Sequence, residues 1–249
     1  MIDDRVRFGA FDTRMTVWNS PSGAAQSGGD WCEAFAVSEH VTGLTIGDVS
    51  GHGETVAGAM VAMRAAALRA IREIRIPSDV LAIVNDAACT YDDGDGVIAT
   101  AIVAILDRRL GTLTFANGGH PPPLVLTADG HAFLHSAPAD LPLGIFPSYR
   151  AADYIIALPA DALVVFYTDG ITEHQRDPIR GEAELVAAAR VVHGLPQINA
   201  ARAIARRVFR NARGDDDAAA LGLRTLPRES ADDETAWSVG LPPAAAYQR

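Results

Sequence analysis

The sequence predicts an α+β fold, a two-sheet antiparallel β-sandwich flanked by pairs of α-helices, and three observations predict it. Short apolar or β-branched runs recur in clusters with brief turns between them, the pattern of antiparallel hairpins. Four helix-like segments come as two adjacent pairs, each interrupting the strands as a block, which fits a layered α+β class better than alternating βαβ units. The chain has 249 residues, 49% of them hydrophobic, enough to bury one substantial core.

Strand-like runs fall at residues 33–38, 41–48, 97–107, 112–117, 123–127, 154–158, 162–168 and 218–224. The turns at 107–111 and 128–130 are short enough to join antiparallel neighbours. The first helix is expected over 54–75, where Val56, Met60, Met63, Ala67, Ile71 and Ile74 share one face and should pack on a sheet. A second starts at Ser78, an N-cap residue after Pro77, and buries Leu81, Val84 and Ala88 before an acidic loop at 92–96. That loop, YDDGDG with Tyr91, is calcium-loop-like, but position 12 counted from Asp92 is Val103 in place of the bidentate Glu, so it reads as a solvated turn. Helices three and four are expected over 182–192, burying Leu185, Ala189 and Val192, and over 197–210, burying Ile198, Ala201, Ala205 and Val208. The domain is therefore drawn over 1–224. Residues 225–249, rich in Pro, Ala, Ser and acid without a sustained apolar period, read as a tail of disordered composition, with docking through Trp237 or Tyr247 as the alternative.

Acidic residues outnumber basic ones by 31 to 21, with no basic run, which argues against a nucleic-acid partner. The N-terminus is charged at once, and no segment approaches the ~20 apolar residues of a membrane span, so a soluble, cytoplasmic protein is expected. Cys32 and Cys89 are too few for a disulfide framework, and without a CxxC pair or a Cys/His cluster they read as buried thiols.

Four aspartates sit at strand ends or in Gly-containing turns: Asp30 in SGGDW, Asp48 in IGDVSGHG, Asp169 in FYTDG and Asp216 in GDDDAAALGLR. An apolar strand ending this way lifts a carboxylate to a sheet rim, where neighbouring glycines admit a ligand close to the backbone. Each motif alone reads more readily as a turn, because Asp-Gly is common there. Convergent carboxylates repel one another unless cations neutralise them, so their repetition points to an oxygen-only site for hard ions, Mg²⁺ or Mn²⁺. Two such ions about 3.5–4 Å apart activate water and polarise a phosphoryl group.

The strings GGDW, IGDVSGHG, ATAIVAILD, FANGGHPPPLVL, LPLGI, VVFYTDGITE and DDAAALGLR occur in this order over about residues 28–224. In combination they resemble the bacterial PP2C-like (PPM) serine/threonine phosphatases of the sporulation stage II E type, with a PP2C-like αββα fold. The resemblance implies that Asp30, Asp48, Asp169 and Asp216 are metal-binding carboxylates, with the Val49 carbonyl as a further ligand and two Mn²⁺ or Mg²⁺ ions as cofactors. Asp217 is then a neighbour, although a one-residue slip across GDDDAAALGLR leaves Asp217, and less readily Asp215, open.

It further implies hydrolysis of phosphoserine or phosphothreonine by a metal-activated water without a phosphoenzyme, in keeping with the absence of a CxxxxxR loop. The substrate it implies is a phosphorylated anti-anti-sigma-type regulator in partner switching. His52 is the candidate proton donor to the leaving oxygen, set against a plain turn histidine; His120 reads as structural. The first helix pair is expected to move and complete the metal site when an activating partner protein binds.

Two departures are visible. Ala219 stands where the family commonly has the threonine of DDxT, and the stretch before Gly28 matches poorly, with none of its arginines assigned to phosphate. They motivate the alternative of a pseudophosphatase that binds a signalling partner without turnover. Another two-metal hydrolase, acting on nucleotides or nucleic acid, is disfavoured by the acidic balance.

Overall fold

In the computed structural model, residues 6–8, 11–20, 28–91, 96–173, 176–209 and 217–227 are described. Eleven strands are resolved among them: β1 (Val6–Phe8), β2 (Phe11–Ser20), β3 (Asp30–Ala36), β4 (Val41–Val49), β5 (Ala99–Asp107), β6 (Thr112–Gly118), β7 (Leu124–Leu126), β8 (Ala132–Leu134), β9 (Tyr154–Ala157), β10 (Leu163–Tyr167) and β11 (Ala218–Pro227). They form two antiparallel sheets, one in the order β1-β2-β11-β10-β7-β8 and one in the order β3-β4-β5-β6-β9. Four helices, α1 (Glu54–Glu73), α2 (Pro77–Cys89), α3 (Pro178–His193) and α4 (Ala200–Val208), complete the α+β sandwich.

The strands that read as unbroken apolar runs are buried on both faces, as sheets covered by helices require. On β5, Ala99, Ala101, Val103 and Ile105 face the layer of α1 and α2, whereas Ile102, Ala104 and Leu106 face the other sheet. On β10, Leu163, Val165 and Tyr167 face α3 and α4, and Val164 and Phe166 face inward. The α1 stripe is Val56, Ala59, Met63, Ala66, Ala67, Ala70 and Ile71, so small residues share the expected face with Met63 and Ile71. Met60 and Ile74 pack only partly at its edge.

Local chemistry sets the helix starts. α2 begins at Pro77, whose missing N–H and fixed φ suit the first helical position. Ser78 is not its N-cap: the backbone N–H and hydroxyl of Ser78 donate to Asp153, at 2.9 and 2.8 Å, so a distant carboxylate caps this helix. α3 starts earlier than its apolar period, because Asp177 accepts from the Arg180 N–H and Pro178 follows. α4 starts later, at the cap Asn199, which accepts from the Arg202 N–H.

The stretch before Gly28 holds β2, which pairs with β11 at ten positions from Phe11↔Pro227 to Ser20↔Ala218. Among its described side chains the buried ones are polar, Thr13, Arg14 and Thr16, so hydropathy hides the strand. β11 runs to Pro227, past Arg224, and the residues beyond, with the expected tail, lie outside the described set. Cys32 is buried but Cys89 only half-buried, and both are free thiols. Residues 92–95 of the acidic loop are also outside the described residues.

Candidate functional site

The inter-sheet face of each strand carries every second residue, and these rows run outward to one rim. On β3 the row is Ala34, Cys32, Asp30, and on β4 it is Leu44, Ile46, Asp48, the earlier members packing in the inter-sheet core. Asp30 and Asp48 are direct cross-strand partners. On the opposite sheet, Val164 and Phe166 lead to Thr168, while Leu221 and Ala219 lead back to Asp217. The site is thus the end of the core, where apolar pairing gives way to acid.

Like charges directly opposite on neighbouring strands are unfavourable. Asp30 is buried, and burial first, then the charge of Asp48, pushes its carboxyl up to about 9; a hydrogen bond between the two carboxyls and the nearby Asp217 act in the same direction. The Thr168 hydroxyl, donating to Asp30 Oδ2 at 2.7 Å, acts the other way and favours the carboxylate. At neutral pH the pair therefore keeps a proton unless a cation replaces it. That demand, with oxygen donors alone, fits a hard divalent ion. Among the described residues no three His, Cys, Asp or Glu side chains already stand at metal-holding spacing.

Two close approaches explain the glycines. A Cβ on Gly29 would lie 2.6 Å from the Val49 carbonyl oxygen and 3.1 Å from Asp48 Oδ1, which puts the Val49 carbonyl beside the acidic pair. Gly29 N–H donates to Asp217 Oδ2 at 2.7 Å, and the Val49 N–H donates to the Gly29 carbonyl at 3.2 Å. In the TDG turn, a Cβ on Gly170 would meet the Asp217 carbonyl oxygen at 1.9 Å. Asp169 opens that short 3-10 turn, one residue after Thr168.

The described structure therefore gathers Asp30, Asp48, the Val49 carbonyl and Asp217, with Asp169 next in chain to a residue bonded to Asp30. Asp216 lies outside the described residues. Asp217, the alternative to Asp216 that the sequence leaves open, is the residue reached by counting in twos from Leu221 through Ala219. His52 is exposed on the loop between β4 and α1, between Gly51 and Gly53, both at positive φ. Thr168 was missed entirely. Ala219 points into the inter-sheet core, and the hydroxyl serving the aspartates comes from Thr168 instead.

His120 is buried below the rim. Its Nδ1 is 2.8 Å from the hydroxyl of Thr100, the cross-strand partner of Asp48, and its Nε2 lies toward the Tyr167 backbone without a hydrogen bond of ordinary geometry. Burial pushes its pKa down to about 3, so the ring is neutral. The Asn117 side chain holds its backbone from both sides, donating to the His120 carbonyl at 2.9 Å and accepting its N–H at 2.7 Å. The NGGH segment is thus a clamp. Among the described residues no helix is long and apolar enough to cross a membrane.

The phosphoserine phosphatase RsbP of Bacillus subtilis (strain 168) is 25% identical over 153 residues, covering 60% of this chain and 38% of RsbP. The chain spans well under half the length of the curated relatives it matches. The crystal structure of the RsbU and RsbW domains of a Mycobacterium tuberculosis protein superposes with a TM-score of 0.78 at 25% identity, covering 86% of this chain and 60% of that one. The PP2C phosphatase domain of SpoIIE from Bacillus subtilis, solved with a fragment of its regulatory domain, shares the fold with a TM-score of 0.72 at 16% identity, over 87% of this chain and 64% of that one. The sequence profile of the family described as stage II sporulation protein E (SpoIIE) matches residues 38–226, most of the chain. This chain therefore belongs to the SpoIIE family and carries a PP2C-type serine/threonine phosphatase domain.

Proposed function

We propose that this chain hydrolyses phosphoserine or phosphothreonine on a phosphorylated protein, with an anti-anti-sigma-type regulator as substrate. The observation that carries the reading is the cross-strand pair Asp30 and Asp48 at the rim of the core, two carboxyls set directly opposite each other with the Val49 carbonyl beside them. Asp30, Asp48, Asp169, Asp216 and the Val49 carbonyl would hold two Mn²⁺ or Mg²⁺ ions. Such ions supply a lowered water pKa and neutralise a phosphate carrying about −1.5 to −2 charge.

The protein's own part is to orient these donors and exclude alternatives. Gly29 and Gly170 leave room for the backbone to close on the carboxylates, and the buried Asp30 and Thr168 keep the floor of the site dry. His52, exposed on the loop leaving the acidic pair, is the proposed proton donor to the leaving oxygen. The likeness to a phosphoserine phosphatase and to an RsbU domain supports a phosphoprotein substrate in partner switching. Because α1 follows the Asp48 loop directly, an activating partner that shifts α1 and α2 would complete the site.

The test is manganese-dependent release of phosphate from a phosphoserine protein and from p-nitrophenyl phosphate, with a phosphodiester as control. Asp48→Asn and Asp169→Asn should each lower kcat by about a thousandfold or more, an amount of order 4 kcal/mol in the barrier. His52→Ala should cost about a hundredfold, the lower end of the range for a general acid. Manganese binding without turnover on either phosphomonoester would sink the enzymatic reading in favour of a non-hydrolysing binder; turnover of the phosphodiester alone would move the chain to another hydrolase class.

A further inference from the structure

We propose that Thr168 is a positioning residue of the metal site: its hydroxyl holds the Asp30 carboxylate in the orientation that binds a divalent cation. The inference rests on the reading of Asp30 as a metal ligand and adds a residue to that site.

Thr168 is fully buried at the end of β10. Its hydroxyl has two partners on opposite sheets. The Ala219 N–H, on β11, donates to Oγ1 at 2.9 Å, and Oγ1 stands 2.7 Å from Asp30 Oδ2, on β3. An amide can only donate, so it occupies one lone pair of the hydroxyl and leaves the hydroxyl proton free to donate to the Asp30 carboxylate. The backbone adds a second lock, because the Thr168 N–H donates to the Ala219 carbonyl at 3.1 Å. The donor is therefore pre-aimed and cannot turn away without leaving a buried N–H unpaired.

Its geometry also fits its place. Thr168 is the rim member of the inward row Val164, Phe166, so strand parity alone directs the hydroxyl across the gap between sheets. One residue later the chain turns and presents Asp169. A single residue thus ties the β3 aspartate to the strand end from which the next candidate ligand comes. Ala219, by contrast, contributes only its backbone to this contact. Hydrogen bonds of this kind to metal-ligating carboxylates typically change metal affinity by about 10- to 100-fold.

The experiment uses the full chain and its Thr168→Ser, Thr168→Val and Thr168→Ala variants. Mn²⁺ affinity is measured by titration calorimetry, folding by the melting of each metal-free protein, and turnover with p-nitrophenyl phosphate. Valine and alanine should weaken Mn²⁺ binding by about 10- to 100-fold, with serine restoring it to within about threefold of native. The turnover loss should appear in kcat at saturating substrate and be recovered in part by raising Mn²⁺. Native-like Mn²⁺ affinity in the valine and alanine variants would overturn the proposal, as would a serine variant no better than valine. Failure of both valine and alanine to fold would assign Thr168 to the frame and overturn it as well. A native chain that binds no Mn²⁺ would bring down the metal reading itself, a separate result from any difference among variants.

Discussion

The carboxyl of Asp30 sits where its environment opposes its charge. Its folded pKa, about 9, lies above the unfolded value near 3.8, so its contribution to stability is full at acid pH and is lost as pH rises through the folded value. The metal-free protein is therefore destabilised at neutral pH by the very group proposed to bind metal. Asp30→Asn, which is neutral without taking up a proton on folding and can still accept from Thr168, should raise the melting temperature of the metal-free chain by a few degrees, of order 1 kcal/mol, while abolishing stabilisation by Mn²⁺. A lower melting point, or retained Mn²⁺ stabilisation, would contradict this. His120 has the opposite sign. Its folded pKa, about 3, lies below the unfolded value of 6.5, so its contribution is present above about pH 6.5 and is lost as pH falls toward 3. Urea denaturation of native protein and His120→Gln at pH 7 and pH 4 should show the native chain losing about 3 kcal/mol more over that interval. Equal slopes would mean the ring is not held neutral. Neither shift was legible in the sequence, because GGHPPP and SGGDW carry no sign of what is packed above them.

At the scale of elements, a buried polar side chain ties the α1 and α2 layer to the segment beside the start of β5. Asn85, fully buried on α2, donates to the Phe146 carbonyl and accepts from the Gly144 N–H, each at 2.9 Å, within the segment that carries LPLGI. Gly144 is forced there: it has positive φ, and a Cβ would lie 1.8 Å from the Val97 carbonyl. The same segment bridges Leu143 to Ala99 at the start of β5, whose neighbour Ile98 accepts the Ser50 N–H. Asn85→Ala removes both part-buried bonds and should cost about 1–3 kcal/mol, read as a lowered urea midpoint at unchanged m. A change under about 0.5 kcal/mol would show that solvent replaces the bonds. Most strands and all four helices were readable from apolar period, since those elements bury one or both faces in carbon. β2 was not, because Arg14 and Thr16 take their partners from α4 and the loop before it: Arg14 donates to the Pro196 carbonyl, and the Thr16 hydroxyl accepts the Ala201 N–H. The Asp153 cap on α2 was equally hidden, being 75 residues from Ser78.

At the scale of the whole molecule, the boundary of the folded unit is a tertiary matter. Thr225 closes β11 onto the loop before β10: its hydroxyl donates to the Pro159 carbonyl at 2.6 Å and accepts the Ala162 N–H at 2.7 Å. Truncation after Arg224, where composition alone draws the line, should therefore melt several degrees below truncation after Pro227. Equal melting of the two truncations would show that the last residues of β11 are dispensable. The layered fold class, the two helix pairs and the acidic motifs are legible in the chain, because burial period and aspartates at Gly-containing strand ends are local properties. Which residues meet is set by long-range packing. Pairing Asp30 with Asp48 requires the register of β3 on β4, and bringing Thr168 to Asp30 requires one sheet to be laid on the other. Neither register nor sheet stacking is written in any single segment, since each is set by the packing of inward rows drawn from strands far apart in the chain.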